Sequence, residues 1–312
     1  MRDLTLVIAH RGNCMGLWMT VHSAIDNMQK SGIDYDIAIC SNGGPVDNDL
    51  KLLVGSLEKM GRLAGHVHSD SPLSPPVARQ RAAAIADGRI LCFSDNHCLF
   101  QPDFFRRFMA DLEVPGIDVI HASVIFYAGE RVFYDYNLTL ARDFWANYRV
   151  LPKISYKPYP TAAAGHGVFA VRRSVWEEVG GYCPEGVLIG YGGEELMFNL
   201  KVWLLGKQTH MDPKSIHYHY PGTRGYSGRH TDEFYTNMLA CANVIGGEDW
   251  MYKVYASFAA PGTLRAYSKY TMYDLLQIAE GRSRDYAKEL ASKRVRTLDE
   301  LLTYFKSNDI SM

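Results

Sequence analysis

The stretch ILCFSDNHCLF, Ile90 to Phe100, is an apolar run that breaks off at Asp95-Asn96-His97. Its length and composition suit a strand covered on both faces. Two readings fit the break. Asp and Asn are common turn residues, so the first is a plain turn. In the second, Asp95 and His97, alternate residues of an extended chain, aim at one metal ion at the carboxyl end of a parallel strand.

Working outward, Leu4 to Ala9 and Tyr35 to Ser41 are further short apolar runs, and helical stretches separate all three. MGLWMTVHSAIDNMQK, from Met15, sets Leu17, Thr20, Val21, Ala24, Ile25 and Met28 on one helical stripe. ARQRAAAIADG predicts an alanine-rich helix ended by Gly88. This alternation implies an α/β fold, Rossmann-like, with a mostly parallel central sheet and flanking helices. Ligands of such sheets bind beyond the carboxyl ends of the strands. His10 and Arg11, Ser41 and Asn42, and the Asp95 turn converge there.

Of 312 residues, 47% are hydrophobic and 21% charged, enough for one large core or two modest ones. Lys plus Arg number 33 against 34 Asp plus Glu, so no global positive field points to nucleic acid or a membrane surface. The N-terminal apolar run is too short for a signal peptide and no window reaches the length of a membrane span, which predicts a soluble, cytoplasmic protein. Six scattered cysteines offer no paired metal spacing and no disulfide framework.

After Gly129 the pattern loosens, and FWANYRVLPKISYKPYPTAAAGHG predicts a long loop over the sheet. GVFAVRRSVWEEVGGY reads as a strand and a short helix opening at Ser174, with Glu177 completing its cap. YGGEELMFNLKVWLLGK reads as a glycine turn and an amphipathic helix ended by Gly206. KSIHYHYPG places His217 and His219 at alternate strand positions. The expected organisation is one domain over 1–228 and a helical C-terminal appendage over 229–312. Glu194 and Glu195 open the helix after Gly192-Gly193. Acids favour helix starts through the dipole; the functional alternative is sugar binding by one carboxylate and proton transfer by the other.

In order along the chain, TVHSAI, ARQRAAAIADGRILCFSDNHC, YPTAAAGHGVFAVRRSVWEEVGGY, YGGEELMFNLKVWLLGK and HYHYPG resemble the GT-A glycosyltransferases of the family 2 type. Closest is the catalytic domain of polypeptide N-acetylgalactosaminyltransferases. The resemblance covers residues 4 to 225, and Asp95-Asn96-His97 has the Asp-x-His form of that group. It implies a GT-A fold and transfer of a sugar from a nucleotide-sugar donor, UDP-linked, to an acceptor hydroxyl. The implied metal ligands are Asp95, His97 and His219, with His217 as second choice, for a divalent cation, Mn²⁺ or Mg²⁺. Arg79, Asp95, Gly193 and Glu194 fall at donor-binding positions, with Glu194 as a catalytic candidate; Glu195, the second catalytic candidate, stands where this group has a neutral or variable residue and where inverting galactosyltransferases with a similar motif place their base. Where the family has an acidic pair after the second strand, this chain has Ser41-Asn42.

The acceptor is open. Lys253 to Lys306 holds ten Lys or Arg against six Asp or Glu, interleaved with Tyr255, Tyr267, Tyr270, Tyr273 and Tyr286. The 141–173 stretch is likewise basic and aromatic. A solvated helix face explains this, and so does contact with DNA carrying a 5-hydroxymethylpyrimidine. Glycan or protein Ser/Thr hydroxyls are the competing acceptors. A reading of another class is a non-catalytic sugar-nucleotide or nucleic-acid binding protein on the same fold.

Overall fold

The structure, a computed structural model, describes residues 1–12, 14–126, 131–132, 134–139, 145–150, 157–165, 167–220, 232–259 and 269–307. The elements in chain order are β1 (Leu4–His10), α1 (Cys14–Lys30), β2 (Tyr35–Asn42), α2 (Asn48–Lys59), β3 (Leu63–Ser69), α3 (Pro75–Ala84), β4 (Ile90–Ser94), β5 (Cys98–Phe100), α4 (Phe104–Leu112) and β6 (Val119–Phe126). They continue with β7 (Arg131–Val132), β8 (Tyr134–Thr139), β9 (Trp145–Val150), β10 (Tyr159–Pro160), β11 (Val168–Arg172), α5 (Arg173–Glu178), α6 (Glu194–Leu204) and β12 (Thr209–His219). The last four are α7 (Asp232–Gly246), α8 (Glu248–Ala259), α9 (Met272–Lys293) and α10 (Leu298–Ser307).

The main sheet runs β10-β12-β6-β11-β4-β1-β2-β3, with β5 added to β12 and β7 to β6. Strands β4, β1, β2 and β3 are parallel, as the three apolar runs predict. Antiparallel β11 enters between β4 and β6. Alternation along the strands divides the interior in two. Leu6, Ile8, Ile37, Ile39 and Cys92 face α1, α2 and α4 on one side. Val7, Ala38, Leu91, Phe93 and Phe169 face the other, where the apolar layer continues through Phe198 into Leu239, Met272, Leu275 and Ala279 of α7 and α9. The C-terminal helices therefore share their core with the sheet.

Two local features differ from the sequence reading. The segment after Gly129 contains an antiparallel pair, β8 with β9, where a loop was expected. YDYNLT and WANYRV are rich in residues that favour strands, and pairing supplies the period that neither shows alone. Residues 140–144 and 151–156 of that stretch lie outside the described residues. Helix α5 begins at Arg173 with Arg172 at its cap and no side-chain capping bond. Arg172 ends β11 and is anchored to Leu112 O, Ile117 O and Asp118, so strand passes straight into helix and Ser174 falls inside it.

Candidate active site

The Asp95-Asn96-His97 turn leaves β4 at the carboxyl end of the parallel strands and is held by backbone bonds from three sides. Asp95 N–H donates to Gly167 O at 2.9 Å, Tyr220 N–H to His97 O at 3.0 Å, and Cys98 N–H to the Thr20 hydroxyl of α1 at 2.8 Å. Helix α1 comes this close because residue 16 is glycine: a Cβ there would lie 2.7 Å from Asn96 O. Thr20, on the apolar stripe of α1, spends its hydroxyl on the turn.

Arg79 of α3 donates to Asp95 Oδ1 at 2.5 Å, and His219 Nε2 lies 3.1 Å from Asp95 Oδ2. Burial works against the Asp95 carboxylate, but the Arg79 guanidinium, helped by the His219 hydrogen bond and His97, outweighs it and holds the pKa well below the usual carboxylate range. His97 Nε2 is 3.1 Å from His219 Nε2, and Asn96 Oδ1 is 2.8 Å from His97 Nδ1. Asn96 Nδ2 in turn meets His10 Nδ1 at 2.8 Å. On this network the His97 proton sits on Nδ1, which leaves Nε2 a lone pair, an assignment made from hydrogen bonding.

Asp95, His97 and His219 each offer one ligand atom, and those atoms lie within 4.8 Å of one another. One carboxylate oxygen and two imidazole nitrogens suit a divalent transition-metal ion better than a cation that takes only oxygen. Asn96 supplies the outer hydrogen bond that orients a ligating imidazole. His217, the second choice, stands apart from this cluster. It is fully buried, and burial lowers its pKa to about 3.

Beside the turn lies a cleft of about 330 Å³ lined by His10, Arg11, Asn42, Arg79, Asp95 and Asn96, with Gly190, Tyr191 and Glu233 on the facing wall. Its size suits a small ligand. Five residues singled out from the sequence as donor-binding thus share one wall. Arg11 has no ion-pair partner among the described residues, so its charge is available. Asn42 is committed at both ends, donating to His10 O at 3.1 Å and accepting from Leu73 N–H at 3.0 Å. Ser41 does not line the cleft: its hydroxyl meets His66 Nε2 and His68 Nδ1, both at 2.8 Å. Glu233 carried no sequence signal, since only the fold brings the start of α7 against the turn before α6.

Gly193 caps α6 with φ +87°, a left-handed conformation that favours glycine. Glu194 follows, 6% exposed, with Oε2 lacking a hydrogen-bond partner among the described residues. Burial pushes its pKa up, and Arg79 pulls against that. Glu195 is half-buried. A carboxylate kept from water with an unspent oxygen can receive a hydroxyl proton or hydrogen bond.

Part of the basic C-terminal set is paired within the chain, Arg284 and Lys293 through exposed surface contacts. Arg284 pairs with Glu280 and Lys293 with Glu289, while Lys253 covers Trp250 and Arg296 covers Trp203. Arg265 and Tyr267 lie outside the described residues. No helix among the described residues is long and apolar enough to cross a membrane.

Known proteins share both sequence and shape with this chain. "Inactive polypeptide N-acetylgalactosaminyltransferase-like protein 5" of Macaca fascicularis is 30% identical over 149 residues, 44% of this chain and 33% of that protein. "Polypeptide N-acetylgalactosaminyltransferase 5" of Caenorhabditis elegans is 22% identical over 228 residues, 69% and 36% of the two chains. "Probable N-acetylgalactosaminyltransferase 8" of the same organism is 27% identical over 231 residues, 68% and 53%. The chain thus spans between about a third and a half of the length of these relatives. Among solved structures, GalNAc-T7 with UDP, GalNAc and Mn²⁺ superposes with a TM-score of 0.67 at 17% identity, over 94% of this chain and 57% of that one. TarS 1-349 of S. aureus in complex with UDP-GlcNAc gives 0.56 at 14% identity, over 82% and 71%. The fold is of the GT-A type, with additional C-terminal helices. Glycosyl transferase family 2 matches residues 7–180, more than half of the chain, from inside β1 past the Asp95 turn to just beyond α5, and on that match the chain belongs to this family.

Proposed function

We propose that this chain is a metal-dependent glycosyltransferase that moves a sugar from a UDP-linked donor to an acceptor hydroxyl. The observation that carries the reading is the convergence of Asp95, His97 and His219 beside a cleft that Asp95 itself lines, with Arg79 keeping Asp95 ionised. The neighbours whose structures hold UDP with Mn²⁺, or UDP-GlcNAc, support the donor class. A divalent cation on those three side chains would offset the negative charge of the departing diphosphate.

The protein's own groups divide the remaining work. Arg11 offers a free cation to the phosphates, and Glu194 accepts hydrogen bonds from sugar hydroxyls in a site shielded from water. In the transfer, the acceptor oxygen bonds to the anomeric carbon as the bond from that carbon to the diphosphate oxygen breaks. The electron pair of the broken bond leaves with UDP, and the hydroxyl proton passes to Glu195. A polypeptide is the acceptor supported by the relatives' names, and its serine or threonine hydroxyls are the groups that would take the sugar. Hydroxymethylated DNA has less support, because the names of the relatives point to a polypeptide acceptor.

The test is a thermal-shift screen of UDP, GDP, CMP and dTDP with and without Mn²⁺, followed by transfer to serine- and threonine-containing peptides and to hydroxymethylated DNA. A nucleotide at about a hundred times its dissociation constant adds roughly 2.7 kcal/mol of stability. Mn²⁺-dependent stabilisation by UDP, then labelled peptide, is the expected outcome. No response to UDP with Mn²⁺ would sink the reading. Binding without turnover on any acceptor would favour a sugar-nucleotide binding module.

A further inference from the structure

The turn that delivers Glu194 is held by the C-terminal helices through its backbone. Asn237 of α7, fully buried, donates from its amide to Ile189 O at 2.6 Å and Gly192 O at 2.9 Å, and accepts from Ile189 N–H at 3.1 Å. Arg282 of α9 donates from Nε to Gly186 O at 3.0 Å and from Nη2 to Val187 O. The same Nη2 reaches Asn237 Oδ1 at 2.8 Å, which joins the two side chains into one clamp. Cys241 Sγ completes it at Gly193 O, 3.0 Å away.

Two properties distinguish this clamp from ordinary packing. Helices that only cover a core bury apolar stripes, whereas here a half-buried guanidinium and a buried amide are set on main-chain carbonyls. Arg282 forms no ion pair with a carboxylate among the described residues, so its cation serves the turn. A guanidinium holds several acceptors in a fixed fork, and lysine, a point charge, cannot span the same set. The residues so held are also functional walls: Gly190 and Tyr191 line the cleft, and Gly193 sets the direction in which Glu194 leaves the turn. Residues 232–259 and 269–307 lie beyond the family match, which ends at 180.

We infer that Arg282 and Asn237 are positioning residues for sugar transfer, fixing Glu194 and the facing cleft wall through the carbonyls of Gly186, Val187, Ile189 and Gly192. The inference rests on the proposed transferase reading. Neither residue touches the Asp95, His97 and His219 cluster, so turnover and metal binding should separate.

The experiment compares wild type with Arg282→Lys and Asn237→Ala in the full chain, reading Tm, Mn²⁺ affinity, kcat for transfer and amide exchange. We expect kcat to fall by about 30-fold in both variants, while Mn²⁺ affinity stays within about threefold, as misplacement of a catalytic group predicts. Amide exchange should speed up across 186–194 and stay unchanged in the last turns of α6. Wild-type kcat in Arg282→Lys would overturn the inference. So would unchanged exchange in 186–194, or losses of kcat and Mn²⁺ affinity that run parallel to a fall in Tm. A wild-type chain that transfers no sugar defeats the proposed function instead, and the exchange result then decides the clamp alone.

Discussion

Arg79 and Asp95 meet at 2.5 Å, the guanidinium side chain 6% exposed and the carboxylate 27% exposed toward the cleft. The pair thus has a dry side and an open one. Arg79 Nη1 also reaches the Tyr182 hydroxyl at 3.4 Å, so Tyr182 shares in fixing the guanidinium on the side away from the ligand cluster. Arg79→Met leaves the Asp95 carboxylate without its cation and should lower unfolding free energy in urea by about 3 kcal/mol. A variant as stable as wild type would show that the pair contributes nothing net.

The two histidines of β12 should behave oppositely. His219→Leu removes one member of the ligand cluster and should abolish the Mn²⁺-dependent thermal shift with UDP. His217→Leu replaces a neutral buried ring with an apolar group and should keep that shift. Equal loss in both would place His217 among the ligands after all.

Gly193→Ala tests the turn before α6. Its φ is +87°, and an added Cβ would lie 3.2 Å from both Asn237 Cβ and Cys241 Sγ. Strain of this kind costs about 1–3 kcal/mol. The substitution should lower Tm and should cut transfer further than the lost stability explains, because Glu194 is the next residue.

Lys201 of α6 provides a test by pH. It is fully buried, donates to Gly181 O, Tyr182 O and the Tyr286 hydroxyl, and burial lowers its pKa to about 7. An unfolded lysine titrates near 10.4, so from about pH 7 upward the unfolded chain holds a proton that the folded chain has released. Stability contributed by this group therefore rises with pH across that window and is flat below it, by at most about 1.4 kcal/mol per pH unit. Urea titrations at pH 7, 8 and 9 should show this rise in wild type and not in Lys201→Met. Parallel curves would mean that Lys201 keeps its proton.

Salt reports on the acceptor. A protein that makes six to ten phosphate contacts loses about 10³–10⁵ in affinity between 50 and 200 mM salt. A polypeptide acceptor calls for no such set of phosphate contacts, so its KM should change less than about threefold over that range. A steep rise would restore the DNA reading.

Much of the parallel half was legible because each strand there is a closed apolar run with a polar exit. The exits at His10, Asn42 and Asp95 converge as the topology requires. Sequence pattern fails where a side chain acts against its composition. Lys201 belongs to a helix that reads as amphipathic, yet its amine is wholly inside. Asn42, at a strand exit where a ligand is expected, is engaged by the backbone at both ends. The clamp was beyond reach for a different reason: Asn237 and Arg282 act on carbonyls 45 to 96 positions away, and carbonyl partners leave no trace in side-chain periodicity.

Because β11 separates β6 from β4, β6 leaves the ribosome before the strand that joins it to the sheet has been made. The early strands, with Arg79 and Asp95, can pair first, while His219 follows Asp95 by 124 positions, on the order of ten seconds of translation at roughly 5–20 residues per second. A nascent chain halted before β12 would hold Asp95 without its β12 imidazole. On the proposed metal reading, loading waits until β12 has joined the sheet and brought His219 to Asp95.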